Sequence, residues 1–280
     1  VAPGAKPEPD CATLDATRID TRSRRFAVPA DAIAAQAFNL HDRKQQDTLT
    51  DITFVASYQP GSNQLLQFGL AQKNRAPNLY ERYSWGQGTM AITMIGWFGD
   101  ANGYIGDIAL KPETARTLSV GYQYSNDNWQ FQLRPFYTRV SDYIDVELAG
   151  SFNSAEMSRN RLQFTNLDAT LYGAEASALW LLSDTQSAGQ WRLLGGLNLN
   201  RGKRDDSNEP LYQQRPLHSS VSVQHQQGAW QTQLTWQWQD SKRRVDPRRL
   251  ENTTGSYAVL DISTQWQHSN LTLNLGVSNL

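Results

Sequence analysis

The chain has 280 residues, of which 39% are apolar, 10% aromatic and 19% charged, and its mean hydropathy is −0.59. Its 26 Lys+Arg against 27 Asp+Glu argue against a dedicated nucleic-acid binder, and no stretch approaches the ~18 consecutive apolar residues of a membrane helix. One cysteine, Cys11, excludes an intramolecular disulfide framework and a multi-cysteine metal cage. The start, Val1-Ala2-Pro3-Gly4, carries no visible signal peptide, so one has been removed or the N-terminus lies elsewhere. Nine Trp and eleven Tyr are many for so polar a chain.

Residues 1–48 read as a polar loop region, with weak helical periodicity only in Pro29 to Phe38. From there the period is two, which is strand geometry. Ten strands are predicted, at about 50–58, 64–74, 114–124, 129–140, 169–182, 190–200, 216–225, 229–240, 256–267 and 270–279. Trp129, Phe131 and Leu133 alternate with Gln130, Gln132 and Arg134, and Tyr172, Ala174, Ala176, Ala178 and Trp180 alternate with Gly173, Glu175 and Ser177. In the eighth segment Trp230, Thr232, Leu234, Trp236 and Trp238 alternate with five amide or hydroxyl residues, and Leu271, Leu273, Leu275 and Val277 repeat the pattern. The fold class is all-β.

Every second connection is short: 59–63, 125–128, 183–189, 226–228 and 268–270. The others, 75–113, 141–168, 201–215 and 241–255, are long. Sorting by parity is the signature of an antiparallel transmembrane β-barrel, with turns at one membrane face and loops at the other. Trp129, Trp180, Trp191, Trp230 and Trp266 lie close to short turns, where indole rings sit at headgroup level. Gln, Ser, Thr and Asn then face a wet or plugged lumen while the apolar residues face lipid. A soluble β-sandwich binding module is the alternative, and it leaves loop parity and Trp placement as coincidences.

Four segments, in order, resemble one family, the TonB-dependent outer-membrane receptors. Gln72-Lys73-Asn74-Arg75-Ala76-Pro77-Asn78-Leu79-Tyr80-Glu81 resembles the stretch by which a mid-barrel strand leaves the membrane. Leu110-Lys111-Pro112-Glu113-Thr114 resembles the Leu-x-Pro-Glu entry to the next strand, Gly173-Ala174-Glu175-Ala176 a Gly-x-Glu on a later one, and Leu273 to Leu280 the Val-x-Asn-Leu ending of the penultimate one. The resemblance covers about residues 50–280 and implies a partial barrel, about ten strands of a barrel of ~22. Residues 1–48 are then an extracellular loop region, and 49–280 a C-terminal portion. The family's plug, its TonB box, the first half of the barrel and the closing strand would lie outside this sequence.

The resemblance further implies a bacterial outer-membrane location, no enzymatic activity, no covalently bound cofactor, and TonB-coupled uptake of a metal chelate, either a ferric siderophore or copper. Its partners would be outer-membrane lipid and lipopolysaccharide, the TonB complex through the plug, and the transported chelate. A passive porin-like channel is the competing membrane reading. His41, His218, His225 and His268 lack HExxH or Ser-His-Asp spacing, which places an enzyme last.

The 84–112 loop carries six glycines together with Trp85, Met90, Met94, Trp97, Phe98 and Tyr104. Long loops in ordered domains are usually functional or disordered, and this one suits the planar body of a siderophore or haem; packing on neighbouring loops is equally compatible. Met90 and Met94 offer thioethers suited to Cu(I), and the run Trp97 to Gly106 resembles the copper-receptor branch. Arg243 and Arg244, with Lys242, Arg248 and Arg249, form a basic loop cluster near Arg201, Lys203 and Arg204. Anionic siderophores, lipopolysaccharide phosphates or plain solvation all fit it. Glu175 is expected to face the lumen and pair with an arginine, and Pro77 and Pro112 to mark the ends of strand pairing. Cys11 pairs with a cysteine outside this sequence or is an inert thiol.

Overall fold

A computed structural model of the chain describes residues 36–84, 100, 102–154 and 157–280. The strands are β1 (Ile52–Gly61), β2 (Gln64–Arg75), β3 (Gly103–Ile105), β4 (Glu113–Ser125), β5 (Trp129–Ser154), β6 (Met157–Thr185), β7 (Gly189–Arg204), β8 (His218–Gln227), β9 (Trp230–Gln239), β10 (Tyr257–His268) and β11 (Leu271–Val277), and a short helix, α1 (Leu79–Tyr83), follows β2. Ten strands pair in sequence order in one open sheet, and β3 joins it by pairing with β6. The pairings in register along the meander are antiparallel, as strands joined by tight turns must be. No helix among the described residues is long and apolar enough to cross a membrane.

The chain divides into two compact units. The unit built from residues 50–74, 114–143 and 167–280 holds most of the sheet. Its two faces differ as the alternation requires. Trp230, Thr232, Leu234, Trp236 and Trp238 of β9 lie opposite Trp266, Thr264, Ile262, Leu260 and Ala258 of β10. On the other side of β9, Val223 and Val221 of β8 continue the same face beside Leu234 and Trp236. This apolar face is open: Trp230 is 55% exposed, and Leu234 and Trp236 are 41% exposed each. A continuous exposed apolar surface of this kind is rare on a soluble monomer. Two hydroxyls on this face, Thr232 and Thr264, pair with each other at 2.9 Å, which satisfies them without water.

The opposite face is a polar ladder. Arg192 Nη1 donates to Gln224 Oε1 at 3.2 Å, Gln237 Nε2 to Asp261 Oδ2 at 3.0 Å, and the Ser222 and Thr235 hydroxyls meet at 2.9 Å. At the short-turn ends of the strands the aromatic rings gather. Trp129 stacks on Trp180 at 4.7 Å, Trp191 on His225 at 4.2 Å, and Trp230 lies 6.3 Å from Trp266. At the other end of the polar face, Val140, Ala169 and Leu211 form a small buried cluster.

The second unit comprises residues 1–49, 75–113 and 144–166. Its core is Tyr104, Leu110, Ile144, Val146, Leu162 and Phe164. The sequence reading treats 141–168 as a long loop, and the structure corrects it: β5 runs on to Ser154 and β6 begins at Met157, so most of this segment is strand. Burial of Ile144, Val146, Leu162 and Phe164, all at alternate positions, is the driving term. β3 was not predicted; Gly103, Tyr104 and Ile105 pair in parallel with Arg161, Leu162 and Gln163.

Candidate functional site

Two of the motifs singled out in the sequence, 72–81 and 110–114, meet in one clasp. Arg75 ends β2, and Glu113 opens β4. Arg75 Nε and Nη2 each donate to the Glu113 carboxylate at 2.8 Å, a bidentate pair that a lysine would not reproduce. Arg75 Nη1 also donates to both oxygens of Glu81, at 3.0 and 2.9 Å. Pairing ends at the two prolines as expected, with Pro77 two residues past β2 and Pro112 immediately before β4. Asn78 then caps α1: its Oδ1 accepts from Tyr80 N and Glu81 N at 2.9 Å, while Asn78 N donates to Glu81 Oε2 at 2.8 Å. Glu113 Oε1 accepts from Ile144 N at 2.8 Å, and Asn166 brackets Lys111 by accepting from its N–H at 2.8 Å and donating to its carbonyl at 3.0 Å.

A second ion pair supports the same segment. Arg82 is buried, lies 2.8 Å from the Asp47 carboxylate, and donates to the Leu110 carbonyl at 3.0 Å. Gly106 N donates to Ser84 O at 2.6 Å, and a Cβ on Gly106 would lie 2.4 Å from the Arg82 carbonyl oxygen. Gly106→Ala is therefore expected to lower stability by about 1–3 kcal/mol, as overpacking does. Urea midpoints of the two proteins in detergent check this; an unchanged midpoint would mean the Arg82–Ser84 backbone yields freely.

Among the predicted ligand residues, Trp85, Met90, Met94, Trp97 and Phe98 lie outside the described residues. Tyr104 is a packing residue in this structure: it is 2% exposed, its ring is 5.5 Å from that of Phe164, and its hydroxyl bonds the Asp100 carboxylate. Leu110 packs in the same cluster. Gly173 and Glu175 share the polar face. A Cβ on Gly173 would lie 2.1 Å from the Leu199 carbonyl oxygen and 2.8 Å from the Phe136 ring, so only glycine fits there. Glu175 Oε1 accepts from Asn198 Nδ2 at 3.1 Å in place of the expected arginine, although Arg134 lines the same cavity.

The basic loop cluster is partly neutralised. Lys242 pairs with Glu251, Arg248 with Glu209, and Arg249 with Asp246 at 2.7 Å. Arg243 and Arg244 make no such pair among the described residues. Together with Arg201, Lys242, Asp240 and Gln214 they line a cavity of about 290 Å³. Arg244 Nε is buried there without a hydrogen-bond partner. Nearby, hydrogen bonds from the Arg204 guanidinium hold the Asp206 carboxyl below the usual carboxylate range.

The β-barrel model of the TonB-dependent receptors matches residues 20–280. The chain belongs to this family. Its location is accordingly the bacterial outer membrane, and its open sheet is part of such a barrel. Among solved structures, "Copper transporter OprC" superposes with a TM-score of 0.67 at 22% identity, covering 83% of this chain and 33% of that one. The ferric enterobactin receptor PfeA of Pseudomonas aeruginosa, in complex with enterobactin, gives 0.61 at 19% identity, covering 82% and 35%. The FrpB iron transporter from Neisseria meningitidis gives 0.56 at 17%, covering 82% and 34%. The chain thus spans about a third of the length of these receptors. No curated protein matches it.

Proposed function

We propose that the chain supplies wall strands and selectivity loops of a receptor that imports a metal or metal chelate across the outer membrane, coupled to TonB. Residues 49–280 form the wall and residues 1–48 an extracellular loop region. The observation that carries this reading is the family match over residues 20–280 on a sheet whose exposed face is apolar. The cargo is a ferric siderophore or copper, the two classes named for the solved neighbours. Met90 and Met94 suit copper as thioether donors. Arg243 and Arg244, lining a cationic cavity, suit the anionic groups of a siderophore. TonB is engaged through a plug supplied from outside these residues, and the wall is surrounded by lipid and lipopolysaccharide. The chain does no covalent chemistry on its cargo.

The test is uptake of radiolabelled iron, presented as siderophore chelates, and of radiolabelled copper by cells with and without the complete gene. The expected result is loss of one of the two on deletion, and equal loss when TonB is removed or the proton gradient is collapsed. Uptake of small solutes that persists without TonB would instead indicate a passive channel. Loss of siderophore use alone would reject copper as the cargo.

A further inference from the structure

The connections that follow β7 and β9, residues 205–217 and 240–256, belong to successive hairpins, and the second grips the first at three points. Arg248 pairs with Glu209, the Arg249 guanidinium lies 4.7 Å from the centre of the Tyr212 ring, and a Glu251 oxygen accepts from Gln213 N at 3.0 Å. Glu251 carries most of this grip. Its side chain is 7% exposed, against 36% for Glu209, and exposed ion pairs contribute little. The same carboxylate accepts from Asp246 N at 2.8 Å and pairs with Lys242. Lys242 and Thr254 close the base of the second connection with backbone hydrogen bonds of 2.9 and 3.1 Å.

The closed arrangement is under strain. Gln213, which donates to Glu251, and Leu250, which precedes Glu251 in the chain, both have a φ of 55°. This left-handed region costs such side chains backbone energy, and asparagine less. The cavity of about 290 Å³ takes its walls from both connections, Gln214 and Pro216 from one and Asp240 to Arg244 from the other. Two of its lining residues hold a buried polar atom without a hydrogen-bond partner, Gln214 Oε1 and Arg244 Nε, which is a further cost of closure. Strained residues of this kind persist where surrounding contacts over-determine them, and they cluster at clamps and switches. The cavity is also at the bottom of the ~300–1,000 Å³ range of small-ligand sites, so a whole metal chelate needs the lobe open.

We propose that Glu251 is a latch: it holds the two connections shut as one lobe around the cavity, against the strain at Gln213 and Leu250, and its release opens the cavity. Shut, the lobe limits the cavity to a small anionic group; open, it admits a larger chelate. Glu251 acts through Gln213 and Lys242 and is a positioning residue. The inference rests on the transport reading in one respect, that this cavity is the one assigned to the anionic groups of the cargo.

The test is the distance between nitroxides at Ser207 and Thr253, one on each connection, measured by double electron–electron resonance. The sample is the complete receptor in lipid vesicles, with its native cysteines replaced. The wild type should give one narrow distance. Glu251→Ala loses the hydrogen bonds from Gln213 and Asp246, each worth about tenfold or more in the open-to-closed ratio. That ratio should rise about a hundred-fold, from a minor state of ~1% to about half, seen as a broad population at longer distance. Adding Gln213→Asn and Leu250→Asn to Glu251→Ala relieves the strain and should return part of that population to the short distance, which general damage to the loops would not allow. The proposal is overturned if Glu251→Ala, folded by its heat-dependent gel mobility, keeps the wild-type distance. It is overturned as well if the two asparagines leave the open population unchanged. The measurement involves no cargo, so its failure leaves the transport reading standing, and a failed uptake assay leaves the latch standing.

Discussion

Leu234→Arg is expected to destabilise the inserted protein by about 2–4 kcal/mol, the cost of a lipid-facing arginine near the bilayer midplane. Leu234 lies four residues from Trp230, at the girdle end of β9, which places it about 9 Å into the apolar band. Gln233→Arg, one residue away on the polar face, should change stability by no more than about 0.5 kcal/mol. Gln233 already donates to the Thr235 hydroxyl at 3.0 Å among other polar groups. The contrast comes from facing alone, since the two positions share a strand and a depth. Urea unfolding in lipid vesicles followed by tryptophan emission reads both variants. Equal destabilisation of the two would mean that the faces are not solvated differently.

The second large effect concerns the clasp. Glu113→Ala removes both hydrogen bonds from Arg75 and the acceptor for Ile144 N. Hydrogen bonds to charged groups contribute about 1.5–3 kcal/mol each. The Arg75 side chain is 44% exposed and keeps Glu81, so water screens part of the loss. The expected destabilisation is therefore about 2–3 kcal/mol, with a faster hydrogen exchange of the Ile144 amide. Arg75→Lys should lose most of the same amount, because an ammonium cannot match the bidentate geometry. Unchanged exchange at Ile144 in Glu113→Ala would show that the carboxylate does not hold that strand.

Much of the wall was legible because a strand with lipid on one side and water on the other must alternate strictly. Trp230 to Gln239 is such a case, and β9 matches the prediction to within a residue at each end. β5 and β6 were harder. Ile144 and Val146 alternate with Asp145 and Glu147, but the acidic residues read as loop, whereas Asp145 is buried and β5 continues through it. The clasp was half legible. Its two motifs stand out in the sequence, yet nothing local ties Arg75 to Glu113, 38 positions away, because that pairing is made by the sheet. Tyr104 illustrates the opposite limit. An aromatic residue in a glycine-rich loop has the same signature whether it waits for a ligand or fills a core, and only its packing on Phe164 separates the two.

Which side of the sheet meets acyl chains decides whether it is a membrane wall. The direct measurement is nitroxide scanning along β9, one label per variant from residue 230 to 239, in a Cys11→Ser background in lipid vesicles. Collision with dissolved oxygen and with a water-soluble nickel complex is recorded at each site. Labels at Leu234, Trp236 and Trp238 should be open to oxygen and closed to nickel, and labels at Gln233, Thr235 and Gln237 the reverse, with a period of two. Labels at Leu234 and Trp236 shielded from both probes, as in a dry protein interior, would contradict it.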